Sequence, residues 1–442
     1  MLFYRQKWNP FRFIILGFAG IILLGAILLM LPISSNSQQF TSFSTALFTS
    51  TSAVCVTGLV VADTASHWSL FGQGVILILI QIGGLGIITI TIFLSIIFGR
   101  KISLFQRSTM KEAIAATKLG GIVKLTRFII RAVLLFEITG ALIMMPVFYK
   151  DFGPKGIWMA VFHSISGFCN AGFDIMGRPG NGFVSLCKYQ AHPVISLTIP
   201  ALIIIGGIGF LTWEDLWIHS WHFKRYRMQT KVILTTTFLL LSIPAILFFF
   251  LEYSDLPLNE RILSAFFQSA TTRTAGFNTT DLTKISGSGQ AVMIILMLIG
   301  GSPGSTAGGM KTTTAAVLLG NAFGVFHRED SGHFFGRRIE ERTIKTASTI
   351  MLMYIVLFTV SAMLISRIEG LPLGSCLFET ASAIGTVGLS LGITPGLSLI
   401  SRIILIFLMY VGRVGGLTCI YAALSRKSST LGRLPQEKIM VG

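Results

Sequence analysis

The chain has 442 residues, 52% hydrophobic and only 12% charged, with a formal net charge of +17. So little charge, with the apolar residues in long runs, excludes an ordinary soluble domain. The positive balance does not point to nucleic acid, because the basic residues sit in short blocks between apolar runs and never gather on one soluble domain.

Phe13 to Pro32 carries no charge and is long enough to cross a bilayer core as a helix. It is long for a cleavable signal and ends in MLPIS without a small-x-small site, so it reads as a first membrane helix that stays. The same pattern then recurs: helix, short re-entrant segment, helix. First helices are expected over 13–32, 128–149, 232–252 and 346–366, and second helices over 73–99, 192–218, 289–322 and 397–424. Only the third of the second helices is expected to be broken. The re-entrant segments begin near Phe40, Gly156, Glu260 and Pro372 and are too short and polar to span. Their first halves read as half-helices. Their last halves, VTG, NAG, TAG and TVG, read as extended backbone lining an aqueous path. The expected fold is an all-α membrane protein of four helix–pore-loop–helix repeats, arranged with pseudo-fourfold symmetry around one central pore. The repeats occupy 1–99, 100–218 with its preceding loop, 219–322, and 323–442 with the C-terminal tail.

Five basic blocks separate the repeats or flank them. They are Arg5, Lys7 and Arg12; Arg100, Lys101, Arg107, Lys111, Lys118, Lys124, Arg127 and Arg131; Lys224, Arg225, Arg227 and Lys231; Arg328, Arg337, Arg338, Arg342 and Lys345; and Arg426, Lys427, Arg433 and Lys438. The positive-inside rule places all five in the cytoplasm, so the chain is expected to be a multi-pass plasma-membrane protein with both termini cytoplasmic. No cytoplasmic segment is long enough for a sensing domain, so a soluble signal is expected to act through another chain.

The repeats are recognised by two landmarks. The first is FTSTSAVCVTGL from Phe48, FHSISGFCNAGF from Phe162, FFQSATTRTAGF from Phe266 and FETASAIGTVGL from Phe378. Their late glycines, Gly58, Gly172, Gly276 and Gly388, lie 114, 104 and 112 residues apart, which marks four copies of one unit. The second is GGLG from Gly83, GGIG from Gly206, GGSPG from Gly300 and GRVGG from Gly412. A dehydrated monovalent cation needs several inward-facing oxygens, and backbone carbonyls provide them without a fixed full charge. The candidate filter is therefore Cys55, Val56, Thr57 and Gly58; Cys169, Asn170, Ala171 and Gly172; Thr274, Ala275 and Gly276; and Gly385, Thr386, Val387 and Gly388. Packing glycines in small-residue helix contacts are the competing reading, which suits an isolated glycine better than a repeated segment. No ring of Asp or Glu occupies these positions, which disfavours a divalent-cation filter.

In the third repeat, Gly300, Gly301, Ser302, Pro303, Gly304, Ser305, Thr306, Ala307, Gly308 and Gly309 interrupt what should be a span. With few apolar contacts to hold it, this segment reads as a mobile barrier below the filter; a tolerated kink is the plainer alternative. It is not a phosphate loop, because Met310 separates Gly309 from Lys311 and breaks the G-x4-G-K spacing. Arg413 stands where the second landmark has its second glycine; a cation deep in a span is a functional candidate, here the partner of the loop in the gate. Lys311 is placed to snorkel. Arg273 is expected to brace the pore segment against an acid such as Glu379 or Glu137. His163 is expected in a hydrogen-bonded structural role, with no transition-metal site. Cys55, Cys169, Cys187, Cys376 and Cys419 show no CxxC, so neither disulfides nor zinc are expected, and small size accounts for the matched positions of Cys55 and Cys169. No nucleophile–base pair suggests an enzyme. Channel-like conduction is favoured over a stoichiometric cation symporter with alternating access, which would want an acidic coupling site in the pore.

In SAVCVTGL, CNAGF, RTAGFN and GTVGL taken together, and in the broken third-repeat helix, the chain resembles the Trk/Ktr/HKT superfamily of potassium transporters over nearly its whole length, and within it the bacterial Ktr membrane subunits of KtrB and KtrD type. The resemblance implies potassium uptake, often sodium-dependent, by a homodimer with one pore per protomer. It implies a cytoplasmic ring of nucleotide-binding regulatory subunits, KtrA or KtrC in that family, with nucleotide bound on that partner only. It maps the family's gate loop onto Gly300–Gly309 and its pore arginine onto Arg413. A serine at the first glycine goes with sodium preference in some plant relatives; here the residue is Gly58. Only Thr386-Val387-Gly388 matches part of the TVGYG of potassium channels, which implies a less strict selectivity. K+, with Na+ as the second candidate, is the expected pore ion, membrane lipid the expected surroundings, and no covalent cofactor or nucleic acid is expected.

Overall fold

A computed structural model describes residues 10–113, 121–178, 180, 182–329 and 332–423. Arg5, Lys7, Lys118 and the tail residues Arg426, Lys427, Arg433 and Lys438 lie outside them. The first repeat contains α1 (Pro10–Met30), α2 (Phe43–Cys55), α3 (Thr64–His67), α4 (Leu70–Leu85) and α5 (Ile87–Ile97). After α6 (Leu104–Ala113) the second contains α7 (Ile122–Phe152), α8 (Lys155–Phe168), α9 (Pro193–Ile208) and α10 (Phe210–His219). The third contains α11 (Met228–Leu251), α12 (Leu258–Thr271), α13 (Gly287–Leu298) and α14 (Thr312–Phe326). A two-stranded hairpin of β1 (His333–Phe334) and β2 (Arg337–Arg338) precedes α15 (Glu341–Glu369), α16 (Leu373–Gly385), α17 (Leu399–Val414) and α18 (Gly416–Ala423).

The first helices α1, α7, α11 and α15 are each long and apolar enough to cross a membrane. Each packs on the pore half-helix of its own repeat: α1 on α2, α7 on α8, α11 on α12, α15 on α16. The ring closes through the second helices, with α4 against α8, α9 against α12, α13 against α16 and α17 against α2. Burial is inverted relative to a soluble protein. Leu16, Leu23, Leu24 and Ile27 of α1 are exposed, whereas Ser50, Thr51 and Ser52 of α2 are fully buried. That is the order expected where lipid surrounds the chain and polar groups line its centre.

Buried hydroxyls need partners, and the first helices provide carbonyls for them. Ser50 Oγ donates to Ile22 O at 2.7 Å, Ser164 Oγ to Glu137 O at 2.6 Å and Ser269 Oγ to Leu241 O at 2.6 Å. In α11 Pro244 lacks an N–H and leaves Leu240 O without its helix donor, and Ser269 Oγ also lies 3.5 Å from that carbonyl.

The second helices correct one expectation. The sequence reading placed a break only in the third; the structure breaks all four. α4 and α5 meet at 98° and α9 and α10 at 93°. The breaks fall at Gly86 (φ 81°), Gly209 (φ 102°) and Gly415 (φ 89°), each three residues after the first glycine of its landmark. A positive φ cannot continue a right-handed helix, and glycine adopts it without steric cost. In the third repeat this place is Pro303, and a loop replaces the single bend. The eight expected spans are thus four unbroken helices and four interrupted ones.

Candidate ion pathway

The half-helices α2, α8, α12 and α16 point their C-terminal ends inward, and the chain leaves each in an unusual conformation. Val56, Asn170, Thr274 and Thr386, two residues before the landmark glycines, have φ of 56°, 59°, 66° and 52°. The glycines Gly58, Gly172, Gly276 and Gly388 have φ of 89°, 67°, 82° and 94°. The residue between keeps negative φ, so the handedness alternates. This corrects the extended backbone expected from sequence. Alternation turns successive peptide planes the same way, which carries successive carbonyls to one side. Three of the four left-handed non-glycine residues are β-branched, where positive φ is a genuine outlier. Such strain costs ~1–3 kcal/mol per residue and persists where the surroundings enforce it.

The surroundings are the other three repeats. A Cβ on Gly58 would strike Ala171 O, one on Gly172 would strike Ala275 O, one on Gly276 would strike Val387 O, and one on Gly388 would strike Thr57 O. Each would also lie 2.9–3.2 Å from the next glycine's Cα. The cycle closes, so the four segments meet edge to edge in the order of the repeats. The segments are pinned from behind by side-chain hydroxyls. Ser52 Oγ accepts from Gly58 N and Ser382 Oγ from Gly388 N, both at 3.0 Å. Ser166 Oγ donates to Phe173 O and Thr271 Oγ1 to Phe277 O, both at 2.7 Å. Thr57 Oγ1 and Thr386 Oγ1 are buried without a partner among the described residues.

The second landmark has a physical reason that the sequence alone did not supply. A Cβ on Gly83 would strike Val54 O, on Gly206 Phe168 O, and on Gly412 Ile384 O. Each is the carbonyl four residues before a ring glycine, so the second helix can approach the end of its own half-helix only through glycine. In the third repeat Gly300 faces Gly308 O of its own loop instead.

That loop lies against the inner side of the ring. Thr306 Oγ1 donates to Phe168 O at 3.0 Å and Asn170 Oδ1 at 3.1 Å, and Thr306 N to Gly206 O at 3.2 Å. Ser302 N donates to Gly207 O at 2.9 Å, and Gly309 N to Gly412 O at 3.2 Å. A Cβ on Gly308 would strike Thr386 Oγ1. Arg413 completes the set: Nη1 donates to Thr306 O, and Nη2 to Gly83 O and, at 3.0 Å, to Gly84 O. The loop is therefore tied to the second and fourth repeats directly and to the first through Arg413. It is not loosely held: hydrogen bonds fasten it on several sides.

Two further placements differ from expectation. Lys311 does not snorkel; its Nζ turns back to Ala307 O at 2.9 Å and Gly308 O at 3.4 Å. Arg273 pairs with neither Glu379 nor Glu137. Its Nε is buried without a partner among the described residues, Glu137 accepts from Gln81 Nε2 at 3.2 Å, and Glu379 from Thr394 Oγ1. His163 is buried with Nδ1 2.8 Å from Met159 O, the structural role expected. Cys169 lies against Gly84, where a Cβ would come within 2.7 Å of its Sγ, so the tight fit favours a small side chain.

Two cavities flank the ring. The outer, about 170 Å³, is lined by the four ring glycines with Asp63, Asp174, Ser185, Asn278 and Ser390. Burial pushes the Asp174 carboxyl up to about 7, with Asp63 adding to the rise while the Met176 N–H and Ser185 oppose it. These acids lie in loops beyond the landmark, where no repeat pattern marks them. The inner cavity, about 180 Å³, is lined by Phe18, Gly84, Ser305, Ala307, Lys311 and Arg413 among others. Two cations and the loop thus stand on the inner side of the ring.

The model of a family described as "TrkH: Cation transport protein" matches residues 10–431. The chain is 40% identical to the potassium/sodium uptake protein NtpJ of Enterococcus hirae, over 99% of this chain and 98% of that protein. It is 35% identical to the Ktr system potassium uptake protein B of Bacillus subtilis, over 99% and 97%. Its fold matches the crystal structure of the potassium transporter TrkH from Vibrio parahaemolyticus with a TM-score of 0.75, covering 96% of this chain and 87% of that one at 18% identity. Four repeats meeting in one glycine ring, a family match over nearly the full length and full-length Ktr relatives lead to one conclusion: the chain is a multi-pass membrane protein of the TrkH family of cation transport proteins, of the Ktr membrane-subunit type.

Proposed function

We propose that this chain conducts potassium into the cell along the axis of the four-glycine ring. The observation that carries the reading is the closed cycle in which each ring glycine abuts the carbonyl of the next repeat. A cation on the axis meets carbonyls of Thr57, Ala171, Ala275 and Val387, with neighbouring carbonyls of Cys55, Val56, Cys169, Asn170, Thr274, Gly385 and Thr386 stacked toward the half-helix ends. Those ends carry the negative pole of the helix dipole, which favours a cation in the inner cavity. The names of the full-length relatives support potassium, and the first of them supports sodium as a second cation.

The gate in this reading is the loop Gly300–Gly309 with Arg413. The loop occupies the inner side of the ring, and the guanidinium both fastens it and places a fixed positive charge in the cation's way. Opening requires the loop to exchange its bonds to Phe168, Asn170, Gly206, Gly412 and Arg413 for others. A cytoplasmic nucleotide-binding regulatory ring of the kind the Ktr resemblance implies supplies the work by pulling on α14, and the chain acts as a homodimer in the plasma membrane with both termini cytoplasmic. The name "Ktr system" borne by relatives supports a partner subunit. The first test is rubidium flux into liposomes carrying the purified chain. Potassium is expected to compete with rubidium far better than sodium does; equal competition by both removes the selective ring from the account.

A further inference from the structure

The 93° turn at Gly209 sends α10 across the axis of α9, and the sequence changes character at the same point. α9 carries no charge, whereas residues 210–227 contain Trp213, Trp217, Trp221, Glu214, Asp215, Lys224, Arg225 and Arg227. Aromatic and charged residues mixed in this way are the composition of the membrane–water boundary.

The two ends of α10 face different things. At the inner end Phe210 and Trp213 are buried, Trp213 Nε1 donates to Ile205 O at 3.0 Å, and Phe210 N donates to Gly304 O of the loop at 2.7 Å. At the outer end Trp217 is 80% exposed, Ile218 60% and Trp221 96%. The acids beside them are already engaged. Asp215 accepts from Arg227 N at 2.9 Å and lies 3.1 Å from His219 Nδ1, and Glu214 lies 3.7 Å from Arg227 Nη2. Lys224 and Arg225 are exposed, and neither side chain has a hydrogen bond or ion pair among the described residues. The outer end therefore presents two indole rings, an isoleucine and two free cations.

We propose that Trp217, Ile218, Trp221, Lys224 and Arg225 form a binding surface for anionic phospholipid headgroups of the cytoplasmic leaflet, and that α10 transmits its occupancy to the loop at Gly304. Charge complementarity selects the occupant. Indoles settle at headgroup depth, and unpaired lysine and arginine beside them attract phosphate. Trp217 lies seven residues after Phe210 in α10, so about 10 Å of helix separates the nearest lipid contact from the loop contact. A lipid that fixes the outer end limits how far the inner end, and with it Gly304, can move. The second half of the proposal rests on the gate reading; the first half does not.

The test uses the full chain in phosphatidylcholine vesicles with and without phosphatidylglycerol. Tryptophan fluorescence is expected to be quenched more by brominated phosphatidylglycerol than by brominated phosphatidylcholine. The preference is expected to vanish in the Lys224→Gln/Arg225→Gln variant, and the quenched component to shrink in Trp217→Phe/Trp221→Phe. Equal quenching by the two lipids, or a preference that survives the double charge variant, overturns the lipid surface. So does efficient cross-linking between copies, or to a regulatory subunit, through Trp221→Cys. Phosphatidylglycerol is further expected to change basal rubidium flux about fivefold in the unaltered chain and not in Lys224→Gln/Arg225→Gln. Lipid preference without a flux response overturns the transmission through α10. Low basal flux in a loop-shortened variant would sink the gate reading and leave the quenching result standing, so the two failures are distinguishable.

Discussion

The ring of landmark glycines and the layer of second-helix breaks on its inner side descend from the same four repeats and differ in symmetry. In the ring every repeat does the same thing: a left-handed residue, a glycine at positive φ, and a carbonyl set against the next glycine. In the layer below, three repeats bend at a single glycine and the third opens into a loop, while the fourth adds Arg413. The difference follows from what each layer meets. In the proposed function an ion on the axis is held by all four sides at once, so each repeat is under the same demand. A barrier needs only one movable piece, and the other repeats then serve as its anchoring points. Phe168, Gly206, Gly207, Gly412 and, through Arg413, Gly83 and Gly84 are those points.

This contrast can be broken from the inner layer outward. The largest effect is expected from shortening the loop by removing Ser302–Gly308. It discards the bonds to Phe168, Asn170 and Gly206 together, and at ~1 kcal/mol each basal rubidium flux is expected to rise about a hundredfold, with regulation by a cytoplasmic partner lost. Unchanged basal flux in a well-folded variant would reduce the loop to a packing feature. Arg413→Ala removes one fastening and one charge, and a rise of about tenfold is expected, measured in the same liposomes; a fall in flux contradicts its role as a barrier. Lys311→Met loses the bonds to Ala307 O and Gly308 O and one of the two positive charges on the inner cavity, so a rise of about threefold is expected, with Lys311→Arg, which keeps the charge, close to the unaltered chain.

The smallest effect sharpens the outer side. Asp174 has its carboxyl raised to about 7, so its charge is present above that pH and is lost as pH falls through it. Cation uptake at low ion concentration is expected to weaken about twofold as external pH drops from above 7 to below it, and Asp174→Asn is expected to flatten that dependence. A pH profile identical in the variant and the unaltered chain removes Asp174 from the account.

Most of the architecture was legible in the sequence because repetition exposes it. Four copies of a segment ending in glycine, with apolar runs on both sides, leave few arrangements in a bilayer. The bends at Gly86, Gly209 and Gly415 were legible in principle, since GGLG, GGIG and GRVG repeat a glycine at one offset; continuous apolar runs on both sides concealed the change of direction. The alternating backbone was not legible. Val56, Thr274 and Thr386 are poor candidates for positive φ, and only the closure of the ring forces it on them. Nor could sequence choose a partner for Arg273 or Lys311. A long cationic side chain reaches many acceptors within a few residues, and here Lys311 takes backbone carbonyls of the loop.

The central claim is that the four glycines surround one selective path, and Gly58→Ser tests it most directly. Gly58 sits at positive φ with Ala171 O where a Cβ would go, so the change is expected to push the ring out of register while the rest of the fold holds. Gly74 has open space around it and serves as the control. Potassium-over-sodium competition for rubidium uptake is to be measured for Gly58→Ser, Gly74→Ser and the unaltered chain in liposomes. The account predicts that Gly58→Ser loses about tenfold or more of that preference, on the scale of the ~1–3 kcal/mol that overpacking a tight site costs, while Gly74→Ser keeps it. Identical ion preference in all three would contradict it.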